Sequence, residues 1–524
     1  MKILHIAAEV SPFVSVGGLS QVMYFLPSAL IKKGHDARVF TPKYGTSKIK
    51  KRWKKKKQIA IHVPIGDNAE TKKAKRGETI PCEVSFYIPE TKEPPVYFIE
   101  NREYYTLREN VFGYADDHTR FALLSKGALE WMLEESKKEN GWIPDIIHCH
   151  DWHTGYFVEL AKRDKKYKDL LLDIPIVFTI HNFKYQGNGS FKYVQKEDKD
   201  SGKTTLAPLG TQTLKKQNAL KRGLIYADAI NTVSQAHALE VLTPEYAEGL
   251  EDTLEKVKGK FIGILNGLDT KTFNPKKDLR IKKRFTHKNF KEARRENKKD
   301  LQKVFHLPID ASKPLIAYSG RLAQQKGWDI LLETLPQVLK HTPNTQLIVL
   351  GGGDEKYRHG LQQLQREYPK RVGLHLMPDF ELPRKIFAGA DMLLLPSIFE
   401  PGGIVALEAL RYGAVPLVRH TGGLGDIIDH FDPETKRGNG FSFVEKDPWA
   451  LYGIIIEAIT LYNQKNLWNS LVKNCLRCDF SWENVAGIYD IWYKQILQTD
   501  NTTRKRKGPL YSIQKITNML ANKT

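Results

Sequence analysis

The chain has 524 residues, with 81 Lys and Arg against 60 Asp and Glu, a net charge of +21, and 41% hydrophobic residues. That is enough length and apolar content for two to four domains with real cores, which argues against wholesale disorder. Four cysteines are too few for a disulfide scaffold and suit a reducing compartment.

At the start of the chain, KILHIAA (2–8) reads as a buried strand. In MKILHIAAEVSPF, however, His5 and Glu9 interrupt any signal-peptide core, and no later run of about 18 apolar residues could span a membrane. The expectation is a soluble, uncleaved, cytoplasmic protein. Gly17-Gly18 then opens a segment with Leu19, Val22, Met23, Leu26 and Leu30 at helical spacing. The same alternation recurs in DARVFTP, PDIIHCH, IPIVFTIHN and DAINTVS, with a helical stretch at 119–135 between them. A second series follows from Pro314: PLIAYSG, TQLIVLGGG, GLHLMPD, DMLLLPS and AVPLVRH. Strands alternating with helices predict parallel sheets covered on both faces, and two series predict two doubly wound α/β units facing across a deep cleft.

The expected divisions are 1–255 for the first unit and 256–480 for the second, with a charged, poorly periodic stretch at 274–303 near the join. An aromatic amphipathic helix at 481–499 should dock back on the first unit. A basic tail at 500–524 is expected to be disordered. Lysine and arginine concentrate at 48–57 (KIKKRWKKKK), 276–303 and 504–507 (RKRK). They lack the aromatic interleaving of single-strand binding platforms and read as solvated surface, with weak polyanion contact as a side property.

Four motifs can carry chemistry. In SVGGLSQV, Ser15 precedes Gly17 and Gly18, whose backbone N–H groups at a helix start can approach a phosphate; a tight turn explains the pair as well. There is no GxGxxG and no GxxxxGK[ST], which argues against dehydrogenase and P-loop chemistry. HCHDWH (148–153), followed by His181 and Asn182 in FTIHN, leaves three readings open: a metal site, satisfied polar packing, or a sugar-binding cleft. The histidine spacing misses the common zinc patterns, so no metal is assigned. In SGRLAQQKGWDI, Arg321 and Lys326 follow a strand five residues apart and can converge on a diphosphate. In PSIFEPGGIVALEAL, Glu400 precedes the turn at Gly402 and Gly403, Ile404 opens a helix, and Glu408 lies on it. A carboxylate beside an anion-binding helix start suits contact with hydroxyls or a developing cation.

Together these motifs, with NTVSQAHALEVLTPEYAEGLE, ILNGLD and HTGGLGDII, resemble the retaining glycosyltransferases of the glycogen and starch synthase family over roughly residues 1–497. The resemblance implies the GT-B fold, two Rossmann-like domains. It implies glucosyl transfer with retention from a nucleotide diphosphate glucose, ADP-glucose favoured over UDP-glucose, to the nonreducing end of an α-1,4-glucan, with no cofactor. By position it places Asp151 and His181 on the sugar and acceptor side, supported by Asn182, and Arg321 and Lys326 on the donor diphosphate. It places Glu400 on the glucosyl hydroxyls, Glu408 on the ribose, and the N–H groups of Gly18, Gly403 and Ile404 on the donor, with Ser15, Gly17 and Gly402 in the same loops.

The implied chemistry is front-face departure and attack, with the leaving phosphate taking the acceptor proton. Fixed cations on the departing oxygens would be the largest stabilising effect, and the paired carboxylates of a glycosidase are not needed. The chain departs from the family pattern at Ser15, where a lysine is usual, at Gln21, where an acid is usual, and at Pro378, where an adenine-stacking aromatic is common; Phe380 follows two residues later. The alternatives are a related retaining transferase with another donor or acceptor, and a catalytically weak glucan-binding protein.

Overall fold

The computed structural model describes residues 1–66, 78–187 and 189–499. The chain divides into two compact units, Met1–Gly267 with the segment from Trp482 onward, and Leu268–Ser481.

The first unit is built on a nine-stranded sheet ordered β3-β4-β5-β2-β1-β6-β7-β8-β9. Its strands are β1 (Lys2–Ile6), β2 (Asp36–Pro42), β3 (Trp53–Pro64), β4 (Thr79–Pro89), β5 (Val96–Glu100), β6 (Ile146–His150), β7 (Ile176–Ile180), β8 (Ala229–Thr232) and β9 (Phe261–Gly263). Pairing is parallel from β2 and β5 through to β9. The β3, β4 and β5 pairings are antiparallel. The four inner strands β1, β6, β7 and β8 are buried almost throughout, which is why they read as continuous apolar runs rather than as alternation.

The 48–57 lysine run is exposed, as the sequence implies, and part of it is strand: Trp53 starts β3, Lys54 to Lys57 stand exposed on it, and only Ile61 and Val63 further along are buried. Four consecutive lysines hid the strand period. The join falls later than residue 255, because β9 pairs with β8 and 256–267 stay with the first unit.

The helix Trp482–Gln498 belongs to the first unit, on the same face of the sheet as the helix Gly18–Lys32. Its Trp482, Val485, Tyr489, Trp492, Tyr493 and Ile496 join Leu19, Val22, Met23 and Leu26 in one apolar cluster. Lys32 pairs with Glu483, and His35 Nε2 with Asp490 at 2.9 Å, at the edge of the contact. The 500–524 tail lies outside the described residues.

The second unit has an all-parallel six-stranded sheet ordered β12-β11-β10-β13-β14-β15. The strands are β10 (Leu315–Ser319), β11 (Gln346–Leu350), β12 (Val372–His375), β13 (Met392–Leu395), β14 (Val415–Arg419) and β15 (Phe441–Phe443). The charged 274–303 stretch contains a true helix, Phe290–Val304, whose buried face is Phe290, Ala293, Arg294, Asn297, Lys298, Leu301 and Gln302. Polar residues at the inward positions masked its period. Arg294 is buried because it donates to the carbonyls of Phe387, Ala390 and Tyr412, and Lys298 because its Nζ meets Asp391 Oδ2 at 2.6 Å. Among the described residues no helix is long and apolar enough to cross a membrane.

Candidate active site

In an open parallel sheet, a crevice forms outside the carboxyl ends of the strands where successive connections leave in opposite directions. In the first sheet that point lies between β1 and β6, and in the second between β10 and β13. All four motifs sit there: the Gly17-Gly18 loop follows β1, Asp151 follows β6, Arg321 and Lys326 follow β10, and Glu400 follows β13.

In the first unit Gly17 caps the helix Gly18–Lys32 without a side-chain bond. The carboxylate of Glu9, itself 2% exposed, accepts from the N–H of Val16 at 2.7 Å and of Gly17 at 3.4 Å. Burial raises the Glu9 pKa despite these bonds, and the nearby Asp151 charge adds to the rise. The Gly17 N–H, expected to be open to a ligand, is therefore held within the chain, while Gly18 begins the helix proper. Ser15 is exposed, with its Oγ 2.7 Å from that of Ser20. Asp151 has φ +58°, an uncommon backbone for a non-glycine residue. Its Oδ1 accepts from the His181 N–H at 2.8 Å, and burial pushes its pKa up to about 7. Asp151, His181 and Asn182 thus sit together at the ends of β6 and β7.

Behind them lies a histidine row. Register places His5 on β1 opposite His148 on β6, and His150 two residues on shares the face. His5 Nδ1 lies 3.2 Å from His150 Nε2, and His150 Nδ1 lies 3.2 Å from His181 Nε2. Burial lowers the pKa of His5 to about 3 and of His181 to about 4, and holds His148 and His150 well below the ordinary range. All four are neutral at pH 7. Tyr493 O–H reaches His148 Nδ1 at 2.6 Å; the other His148 nitrogen meets Thr179 Oγ1, which donates to Asn231, whose Nδ2 donates to the Tyr489 hydroxyl at 3.0 Å. This buried network ties the helix Trp482–Gln498 to the sheet. Ligand atoms of His5, His148 and His150 also lie within 4.8 Å of one another, close enough to hold a metal ion.

In the second unit the strand-end loops are laced together. Gln325 C=O accepts from the Ile398 N–H at 2.8 Å, and Arg419, 4% exposed, donates to the carbonyls of Ser397, Ile398 and Val444. Gly423 N–H donates to the Glu400 carbonyl at 2.8 Å. Gly422 at φ +46° is needed there, since a Cβ would lie 2.3 Å from the Glu400 oxygen. The lacing brings Lys326 Nζ against Glu400 Oε2, which also accepts from Ser397 Oγ at 3.1 Å. Arg321 stands exposed, its Nη2 3.4 Å from Gln325 Oε1. Gly403 caps the helix Ile404–Tyr412 without a side-chain bond, next to Gly402. Burial raises the carboxyl of Glu408 on that helix to about 7, against the pull of Arg384. Pro378 lies against Gly352, and Phe380 is 94% exposed.

The chain matches the starch synthase catalytic domain model over residues 2–256 and the model for glycosyl transferases group 1 over 300–474. It is 35% identical to the glycogen synthase of Alkaliphilus metalliredigens, over 95% of this chain and 100% of that one. It is 37% identical to that of Geotalea daltonii, over 95% and 99%. The chain belongs to the glycogen and starch synthase family. As a member it is a hexosyltransferase, and its two parallel-sheet units have the GT-B fold. The catalytic domain of starch synthase IV from Arabidopsis thaliana, bound to ADP and acarbose, superposes with a TM-score of 0.76 at 30% identity, covering 95% of this chain and 99% of that one. Sucrose-phosphate synthase from Thermosynechococcus elongatus shares the fold at a TM-score of 0.54 and 18% identity.

Sequence reasoning passed over Glu9, His5 and Gly422 as site residues of this synthase family member. Glu9 and His5 carried a signal, since a buried apolar strand and its exit hold no acid or imidazole without a partner. The Gly422 requirement is a close approach between two loops, which has no local signature.

Proposed function

We propose that this chain transfers glucose with retention from a nucleotide diphosphate glucose to the nonreducing end of an α-1,4-glucan, in the cytoplasm and without a cofactor. ADP-glucose is the favoured donor and UDP-glucose the second. The observation that carries the reading is the Lys326–Glu400 contact at the β10/β13 switch point, beside the start of the helix Ile404–Tyr412. A cation held by a carboxylate next to free backbone N–H groups suits a departing diphosphate on one side and sugar hydroxyls on the other.

In this reading Lys326 and Arg321 bind the diphosphate, Glu400 orders the glucosyl hydroxyls, and Gly403 and Ile404 offer N–H groups. Glu408, partly protonated at neutral pH, meets the ribose. Asp151, His181 and Asn182 serve the sugar and acceptor, Gly18 offers its N–H to the donor, and Ser15 leaves the donor one cation poorer than usual in the family. The transition state spreads positive charge on the sugar while negative charge gathers on the leaving oxygens, where the two cations act. Attraction of polyanions to the basic segments is a separable surface property.

The test is nucleoside diphosphate release from ADP-glucose and UDP-glucose, with and without glycogen, following labelled glucose into polymer. Glycogen-dependent incorporation supports the proposal. Release that ignores glycogen, or that needs a different sugar, overturns it.

A further inference from the structure

We propose that His150 and His5 are positioning residues that fix the tautomer of His181, so that it presents Nδ1–H, and not a bare nitrogen, to the sugar. The inference rests on the reading of His181 as a sugar-side residue. A neutral imidazole has one donor and one acceptor nitrogen, so a row of three joined head to tail has only two proton arrangements. In one, every N–H points from His5 towards His181; in the other, every N–H points back. The two 3.2 Å contacts link His5 Nδ1 to His150 Nε2 and His150 Nδ1 to His181 Nε2, which leaves one free nitrogen at each end.

The buried end decides the direction. His5 Nε2 is fully enclosed and finds no hydrogen-bond partner among the described residues. A buried N–H without an acceptor is rarer in proteins than an acceptor left short of a donor. His5 Nε2 is therefore the bare nitrogen. It follows that His5 Nδ1–H donates to His150 Nε2, His150 Nδ1–H donates to His181 Nε2, and the proton left on His181 is at Nδ1. His181 is half-buried, and no described residue bonds its Nδ1. The outer end of the row thus carries a donor suited to a hydroxyl or to oxygen gathering negative charge.

His148 stands beside the row without joining it. Thr179 has one hydroxyl proton and gives it to Asn231 Oδ1, so it accepts from His148 Nε2–H, and Tyr493 donates to His148 Nδ1. Both His148 nitrogens are satisfied, leaving His5, His150 and His181 as an independent relay of orientation. Burial keeps all of them uncharged, so the arrangement holds across the neutral range.

The experiment is 15N correlation of histidine side chains in the full-length chain labelled at histidine, with His181 assigned by its absence in His181→Ala. The expected spectrum shows protonated Nδ1 and bare Nε2 at His181, unchanged between about pH 6 and 8. His150→Phe should let His181 relax towards Nε2–H and lower kcat on the order of tenfold or more by misdirecting its donor. Donor KM should change little. His150→Asn, whose amide N–H can stand where Nδ1–H stood, should restore the tautomer and most of the rate. Protonated Nε2 at His181 in the unsubstituted chain overturns the proposal. So does one equivalent of zinc bound to the row, detected by elemental analysis. The tautomer is read from the wild-type spectrum, with His181→Ala serving only to assign the signal and no activity required, so failure of the transferase reading and failure of the tautomer assignment are read separately.

Discussion

Glu400→Gln separates binding from catalysis, because the two should move in opposite directions. In the structure Glu400 Oε2 meets Lys326 Nζ, and both side chains are about one-fifth exposed, at 19% and 21%. If Lys326 sits between the carboxylate and a donor phosphate, two charge-assisted bonds of about 2.8 Å place the anionic oxygens up to about 5.6 Å apart. Their repulsion is then about 0.7 kcal/mol at the dielectric of water and about 3 kcal/mol at an effective dielectric of about 20. For a partly exposed site an intermediate value of about 1–2 kcal/mol applies, or roughly five- to thirtyfold in Kd. Glutamine keeps the shape and the acceptor for Lys326 and removes the charge. ADP should therefore bind Glu400→Gln more tightly, by calorimetric titration, while kcat falls on the order of a hundredfold with the loss of a charge that orders and stabilises the sugar. Lys326→Met should weaken ADP binding and lower kcat together. Weaker ADP binding in Glu400→Gln, or a kcat within a few-fold of wild type, would refute the assignment of Glu400 between diphosphate and sugar.

Four further outcomes follow from the geometry. Glu408, raised from 4.5 to about 7 by burial, binds more protons folded than unfolded between those values, so it lowers stability as pH rises through that window. Glu408→Gln should flatten the fall in urea midpoint from pH 4.5 to 7 relative to wild type, and identical slopes would contradict the buried carboxyl. Tyr493→Phe removes the donor to the buried His148 Nδ1 and should cost about 1–3 kcal/mol; amides of the helix Trp482–Gln498 should lose hydrogen-exchange protection first, and unchanged protection would show that the bond contributes little. Gly422→Ala puts a Cβ against the Glu400 carbonyl and should lower kcat at least about tenfold by shifting Glu400; full activity would mean the loops yield freely. Ser15→Lys should lower donor KM several-fold, and an unchanged KM would show that Arg321 and Lys326 already suffice.

Much of this molecule was legible from its order of residues. The inner strands of both sheets are buried on two faces, so their apolar runs announce themselves without neighbours, and glycine or charged motifs directly after them mark loops at strand ends. Arg321, Lys326, Glu400 and Asp151 could be placed at strand ends because each is a charge that follows a buried apolar run. The amphipathic aromatic pattern of Trp482–Gln498 likewise declares a docked helix.

Where the pattern broke, tertiary partners were the cause. The helix Phe290–Val304 buries arginine and lysine only because three distant carbonyls and Asp391 meet them. The β3 strand carries four exposed lysines because β4 beside it supplies the pairing. Which motifs share a crevice depended on strand order, since β1 lies next to β6 and β10 next to β13 despite long intervals of chain. The histidine row shows the difference most clearly. His5, His150 and His181 are ordinary residues on three separate segments, and only the register of β1, β6 and β7 makes them consecutive. Local sequence sets which residues prefer strand, turn or interior; long-range pairing decides which nitrogen faces which, because a hydrogen bond acts over about 3 Å and the chain brings its ends together only on folding.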